Sequence, residues 1–160
     1  MFNFEQGRHS LSWVTFLLKI LVADGNVKIR LLTMQLLETR TDWQISEAKD
    51  GYDAIVKVSQ LKPDLVVLDF AMSGMNGFET AKKIAAHFPK LPIILYTFYG
   101  FDAMSKEAQK HGVSEVVDKT ASGDQLLETI ERYLGKAPTV LPIPSEPVPS
   151  GDKEEPQSVN

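Results

Sequence analysis

A chain of 160 residues, 43% of them apolar, suits one domain with a single buried core. Its 17 basic and 21 acidic residues leave a net charge of −4, with no basic block of the size that grips nucleic acid, so direct DNA or RNA contact is not expected. Cysteine is absent, which removes disulfides, thiolate metal sites and cysteine nucleophiles together and fits a reducing compartment.

In chain order, Trp13 to Ala23 is mostly apolar and follows Arg8 and His9, in loose imitation of a secretory signal. Lys19 interrupts the run, which is too short to span a bilayer, so no transmembrane helix is expected. Residues 1–18 are read as an N-terminal extension and 19–134 as the folded domain. Within that domain, short apolar runs alternate with helical patterns. The runs are Ile20 to Ala23, Trp43 to Ala48, Leu65 to Leu68, Ile93 to Tyr96, and Val116 with Val117. Four are continuously apolar, as parallel strands covered on both faces should be. Trp43 to Ser46 alternates instead, which suits an edge strand.

Between the runs, Ile29, Leu32, Thr33, Leu36 and Leu37 make one stripe on a first helix. Ala54, Val58 and Leu61 mark a second helix, and Phe78, Ala81, Ile84 and Phe88 a third. A fourth, from about Ala103 to His111, is weakly patterned and expected to be the most mobile. Leu126, Leu127, Ile130, Tyr133 and Leu134 mark the fifth, which Ser122 and Gln125 open at capping-box spacing. Five strand–helix units predict a three-layer α/β domain around a five-stranded parallel sheet, for which right-handed crossovers favour the order 2-1-3-4-5. Residues 135–160 hold six of the nine prolines and almost no periodicity, and are read as a disordered Pro-rich tail.

What ends each strand carries the chemistry. The first run stops at Asp24, the third at Asp69, the fourth at Thr97 and the fifth at Lys119. In this strand order the carboxyl ends share one edge, and the switch point between strands 1 and 3 sets Asp24 beside Asp69. Two carboxylates, a hydroxyl and an ammonium therefore converge. Paired carboxylates repel unless a hard cation such as Mg2+ relieves them. A carboxylate can also attack phosphorus, and phosphoryl transfer asks mainly for positioning and charge neutralisation.

These residues resemble the receiver domain of bacterial two-component response regulators, from about Lys19 to Leu134. The supporting stretches are Ile20 to Asp24, Ile45 to Ala48 with Gly51, Pro63 to Asp69, Met72 to Gly77, and the strand ends at Thr97 and Lys119. The resemblance implies a flavodoxin-like fold and a phosphate on Asp69, taken from a histidine kinase or phosphotransfer protein in the cytoplasm. It implies Mg2+ held by Asp24, Asp69 and the Ala71 backbone carbonyl. Lys119 would pair with the phosphoryl group, and Thr97 would bond to it and shift the fourth-helix face. The chain would signal as a stand-alone receiver through a downstream protein, with no membrane partner and no catalysis beyond gaining and losing its own phosphate.

Several positions depart from the family pattern. Gly25 stands where a second acid is usual, followed by Asn26. Ser73 replaces a proline, bulky Phe98 follows Thr97, and Val116 occupies a common aromatic position, leaving Tyr96 or Tyr99 to carry the output. Lys119 is followed by Thr120 rather than proline. These departures keep a second reading open, a degenerate receiver that binds partners without phosphate. Enzyme readings are weaker. A haloacid-dehalogenase-like phosphatase needs an acid where Ala71 stands, and a flavin carrier needs hydroxyls where Asp24 begins its loop. His9, His87 and His111 show no ligand spacing and are read as surface residues.

Overall fold

A computed structural model describes residues 13–15, 17–99, 101–135 and 140–142. Within Leu17–Pro138, five parallel strands form one sheet: β1 (Lys19–Ala23), β2 (Gln44–Ala48), β3 (Leu65–Leu68), β4 (Ile93–Thr97) and β5 (Glu115–Asp118). Their spatial order is 2-1-3-4-5, as the sequence predicts, with β2 on an edge. Ile20 pairs with Ile45 on one side and Leu65 on the other, Leu68 with Leu95, and Thr97 with Asp118.

The helices α1 (Val27–Arg40), α2 (Gly51–Leu61), α3 (Gly77–His87), α4 (Phe101–Lys110) and α5 (Gly123–Leu134) cover both faces of that sheet. Strand alternation splits the core in two. Leu21, Ala23, Val66, Leu68, Ile93 and Leu95 pack against α2, α3 and α4, while Ile20, Val22, Leu65, Val67, Ile94 and Tyr96 pack against α1 and α5. This two-sided burial is why the strands read as unbroken apolar runs. Each fully buried leucine or isoleucine contributes about 1.5–3 kcal/mol, so the sheet supplies most of the driving force.

Two sequence expectations need correction. On α1, Thr33 and Leu37 of the expected stripe are buried and Ile29 and Leu36 half-buried, but Leu32 is 61% exposed and Arg30, outside the stripe, is buried instead. The Arg30 guanidinium donates to the Asp24 carbonyl at 2.7 Å and to the Glu47 carboxylate at 2.7 Å. The capping box expected at Ser122 is also absent, since that hydroxyl makes no cap bond and the Gln125 N–H goes to the Ser122 carbonyl. A reciprocal capping box occurs at α3 instead, between Asn76 and Glu79.

A separate unit pairs Trp13–Thr15 antiparallel with Val140–Pro142, joining Trp13 to Pro142 and Thr15 to Val140. Val140–Pro142 falls inside the stretch read as a tail. The rest of that reading, residues 1–12 and the expectation for His9 lie outside the described residues.

Candidate functional site

At the carboxyl edge of the sheet, Asp24 follows β1 directly and Asp69 follows β3, both backbones locked in place. The Asp24 N–H donates to the Ala48 carbonyl at 3.1 Å and the Asp69 N–H to the Ala23 carbonyl at 2.8 Å. Lys119 arrives from the end of β5, its own N–H donating to the Thr97 carbonyl at 2.9 Å. Its ammonium lies 2.5 Å from Asp24 Oδ2 and 2.7 Å from Asp69 Oδ1. All three side chains are less than a tenth exposed. Buried charged groups are tolerated where they are paired and hydrogen-bonded, as these three are.

Thr97, 1% exposed at the end of β4, accepts a bond through Oγ1 from the Tyr99 N–H at 3.3 Å. Two rings flank the ammonium, with centroids 5.6 Å (Tyr96) and 5.4 Å (Phe98) from Lys119 Nζ, within cation–π range. Burial, aided by the nearby Asp118 carboxylate, pushes the Tyr96 phenol above its ordinary pKa, so the ring is neutral at physiological pH. A cavity of about 200 Å3 between these rings and α1 reaches Lys119.

Close backbone packing at Gly77 sets the opposite wall. A Cβ there would lie 2.5 Å from the Asp69 carbonyl oxygen and 2.9 Å from the Phe70 Cα. The Gly77 N–H also donates to the Phe70 carbonyl at 2.8 Å. Only glycine lets α3 start this near the end of β3.

Donors for a hard cation can be judged from the same residues. Asp24 and Asp69 bring two carboxylates together, and a Cβ on Gly25 would sit 3.5 Å from the Ala71 carbonyl oxygen, so that carbonyl borders the same loop. Two carboxylates and a carbonyl, completed by water, fit Mg2+, which commonly keeps several waters. Among the described residues no cluster of three or more His, Cys, Asp or Glu forms a metal site. Asn26 does not fill the gap left at residue 25. Its Oδ1 caps α1, accepting from Lys28 and Ile29, and its N–H donates to Asp24 Oδ1 at 2.7 Å.

The sequence matches the response regulator receiver domain family over residues 20–131. The chain belongs to that family. The VraR response regulator of Staphylococcus saprophyticus is 31% identical over 116 residues, 72% of this chain but 56% of that protein. The chemotaxis protein CheY of Listeria monocytogenes is 29% identical over 116 residues, 72% of this chain and 98% of CheY. The response regulator domain of Thermotoga maritima CheB superposes with a TM-score of 0.68 at 26% identity, covering 77% of this chain and 100% of that domain. The chain thus spans about half of the longer response regulator and nearly all of the chemotaxis protein.

Of the receiver residues expected from sequence, Asp24, Asp69 and Lys119 meet directly, Thr97 stands on the neighbouring strand end, and Ala71 borders Gly25. Sequence reasoning missed Arg30, which fastens the Asp24 backbone. Its signal, a cation six residues after the strand-end acid, stands among the apolar residues of α1. His111 also departs from expectation. Its ring stacks on Phe78 at 4.9 Å, and Nδ1 is buried without a hydrogen-bond partner. By contrast, His87 is exposed, as a surface residue should be.

Proposed function

We propose that this receiver, in the cytoplasm, takes a phosphoryl group on Asp69 from a histidine kinase or phosphotransfer protein and passes its state to a partner protein. The carrying observation is the Lys119 ammonium shared between Asp24 and Asp69 at the edge where receivers keep their acceptor. In the transfer, an Asp69 carboxylate oxygen forms the new P–O bond while the donor's P–N bond breaks, and the electron pair leaves with the imidazole. Lys119 pairs with the phosphoryl oxygens, and Thr97 donates its hydroxyl to one of them. Mg2+ held by Asp24, Asp69 and the Ala71 carbonyl would neutralise further charge. No membrane or nucleic-acid partner enters this reading, and no described helix is long and apolar enough to cross a bilayer. No reaction beyond the chain's own phosphorylation and dephosphorylation is assigned.

Intact mass after incubation with a small phosphodonor, with Mg2+ or with chelator, tests the proposal. One added phosphoryl group in wild type with Mg2+, absent in Asp69→Asn, is expected. A second reading, a phosphate-independent binding module, is favoured by the commitment of Asn26 to helix capping, which leaves the missing acid at Gly25 without a substitute. A folded wild type that never gains mass, even with purified kinases, would select it.

A further inference from the structure

Asp24 is held at each of its four polar atoms, and one of those holds is anchored on the edge strand. Its N–H donates to the Ala48 carbonyl at 3.1 Å, Oδ2 takes the Lys119 ammonium, and Oδ1 accepts from the Asn26 N–H at 2.7 Å. The Asp24 carbonyl accepts from Arg30 Nη1 at 2.7 Å, while Arg30 Nε donates to Glu47 Oε2 at 2.7 Å. We propose that Arg30, aimed by Glu47, is a positioning residue: it pins the Asp24–Gly25 peptide and so keeps the Asp24 carboxylate where Mg2+ would be held. The link to the cation rests on the phosphorylation reading above; the pinning of the peptide does not.

The residue that follows explains why this peptide needs a hold. Gly25 links β1 to α1, its φ lies outside the left-handed region, and a Cβ there meets only ordinary contacts at 3.5 Å. Backbone geometry therefore does not require glycine at this position, and its presence widens the φ and ψ open to the loop. A turn of the Asp24–Gly25 peptide would swing the carbonyl away and draw Asn26, across the same glycine, off Oδ1. Arg30 opposes that turn because its guanidinium is itself fixed. Its side chain is 9% exposed, and a planar fork bridging two acceptors closes both bonds in one orientation. Glu47 is held in turn from α2, where Lys57 Nζ donates to the Glu47 carbonyl at 2.7 Å and to Asp53 at 2.9 Å. Without the Glu47 carboxylate, Arg30 would be a buried charge with the Asp24 carbonyl as its remaining partner among the described residues. Turning out to water would relieve it and release that carbonyl. Groups that orient a metal ligand from behind commonly change metal affinity about tenfold or more.

Glu47→Ala is the first variant, because that side chain is 47% exposed and its loss leaves the core intact. Arg30→Lys takes its place if the alanine variant does not fold. Metal-free protein is measured first, by backbone amide NMR relaxation at residue 25, with the Ala23 amide as internal control. In Glu47→Ala the order parameter at residue 25 is expected to fall from about 0.85 towards about 0.6. It should hold in Glu47→Gln, which keeps an oxygen for Arg30, and recover when Gly25→Ala is added to Glu47→Ala. An unchanged order parameter in Glu47→Ala, or a fall that Gly25→Ala does not reverse, overturns the pinning. Mg2+ affinity by calorimetry is the second arm. Glu47→Ala should weaken binding about tenfold and Glu47→Gln by less than about twofold, and Gly25→Ala should restore most of the loss. Equal weakening in the glutamine and alanine variants would assign the effect to the charge of Glu47 and overturn the positioning role. A wild type that binds no Mg2+ counts against the cation reading alone, and the relaxation arm still decides whether Arg30 pins the peptide.

Discussion

One ammonium serves two acids: Lys119 Nζ stands 2.5 Å from Asp24 Oδ2 and 2.7 Å from Asp69 Oδ1, and none of the three side chains is more than 9% exposed. Removing a single partner from a buried pair leaves an uncompensated charge, at a cost of about 3–5 kcal/mol. Lys119→Met is therefore expected to be destabilised by about that amount in urea unfolding with chelator present. Asp24→Asn keeps the Lys119–Asp69 pair and relieves carboxylate repulsion, so it should match or exceed wild-type stability. A Lys119→Met protein as stable as wild type would contradict the shared-cation account.

Gly25 lies outside the left-handed region, and a Cβ there meets only ordinary contacts, at 3.5 Å from the Ala71 carbonyl oxygen and Met72 Cα. Gly25→Asp should fold normally and add a third charged ligand. Because affinity for hard cations follows ligand charge, Mg2+ binding by calorimetry should tighten on the order of tenfold or more. Unchanged Mg2+ binding would mean that the loop does not face the cation.

Phe98 is 54% exposed and lies over Lys119, where it narrows the approach to the carboxylates. Phe98→Ala is expected to speed phosphorylation by a small donor, and hydrolysis of the product, by roughly three- to tenfold, or about 1 kcal/mol of barrier. Stopped-flow and mass time courses would show both. A slower variant would assign the ring to holding Lys119 rather than to screening the acceptor.

Away from the site, burial raises the Asp53 pKa, but the Lys57 ammonium and the Lys49 N–H outweigh it and hold the carboxyl below its ordinary value. Its stabilising contribution is thus present at neutral pH, above the unfolded pKa, and is lost as pH falls through the lower folded value. Asp53→Asn should cost about 0.3–0.5 kcal/mol at pH 7 by thermal or urea unfolding. The difference from wild type should close in acid.

The sheet and its polar edge were legible because parallel strands buried on both faces leave a distinctive sequence pattern. Ile93–Thr97 is wholly buried, and its run of apolar residues ends at the polar Thr97. Strand ends are fixed by topology, so the topology alone brings Asp24, Asp69 and Lys119 together. Most of the inward face of α1 was legible, with Thr33 and Leu37 buried, but the place of Arg30 in it was not, because its deciding contact, to Glu47, spans two elements. Helix caps also resisted reading. Ser122 and Asn76 both precede helices at suitable spacing, and only the local backbone decides which side chain reaches its N–H.

The Arg30 guanidinium ties the Asp24 carbonyl, just past β1, to a carboxylate on the edge strand. Edge strands are usually where a sheet tolerates change, yet here Glu47 acts as a distant guy-rope for Asp24. Trimming it would loosen the acid without touching it, so variation on the outermost strand can retune the groups that share Lys119 with Asp69.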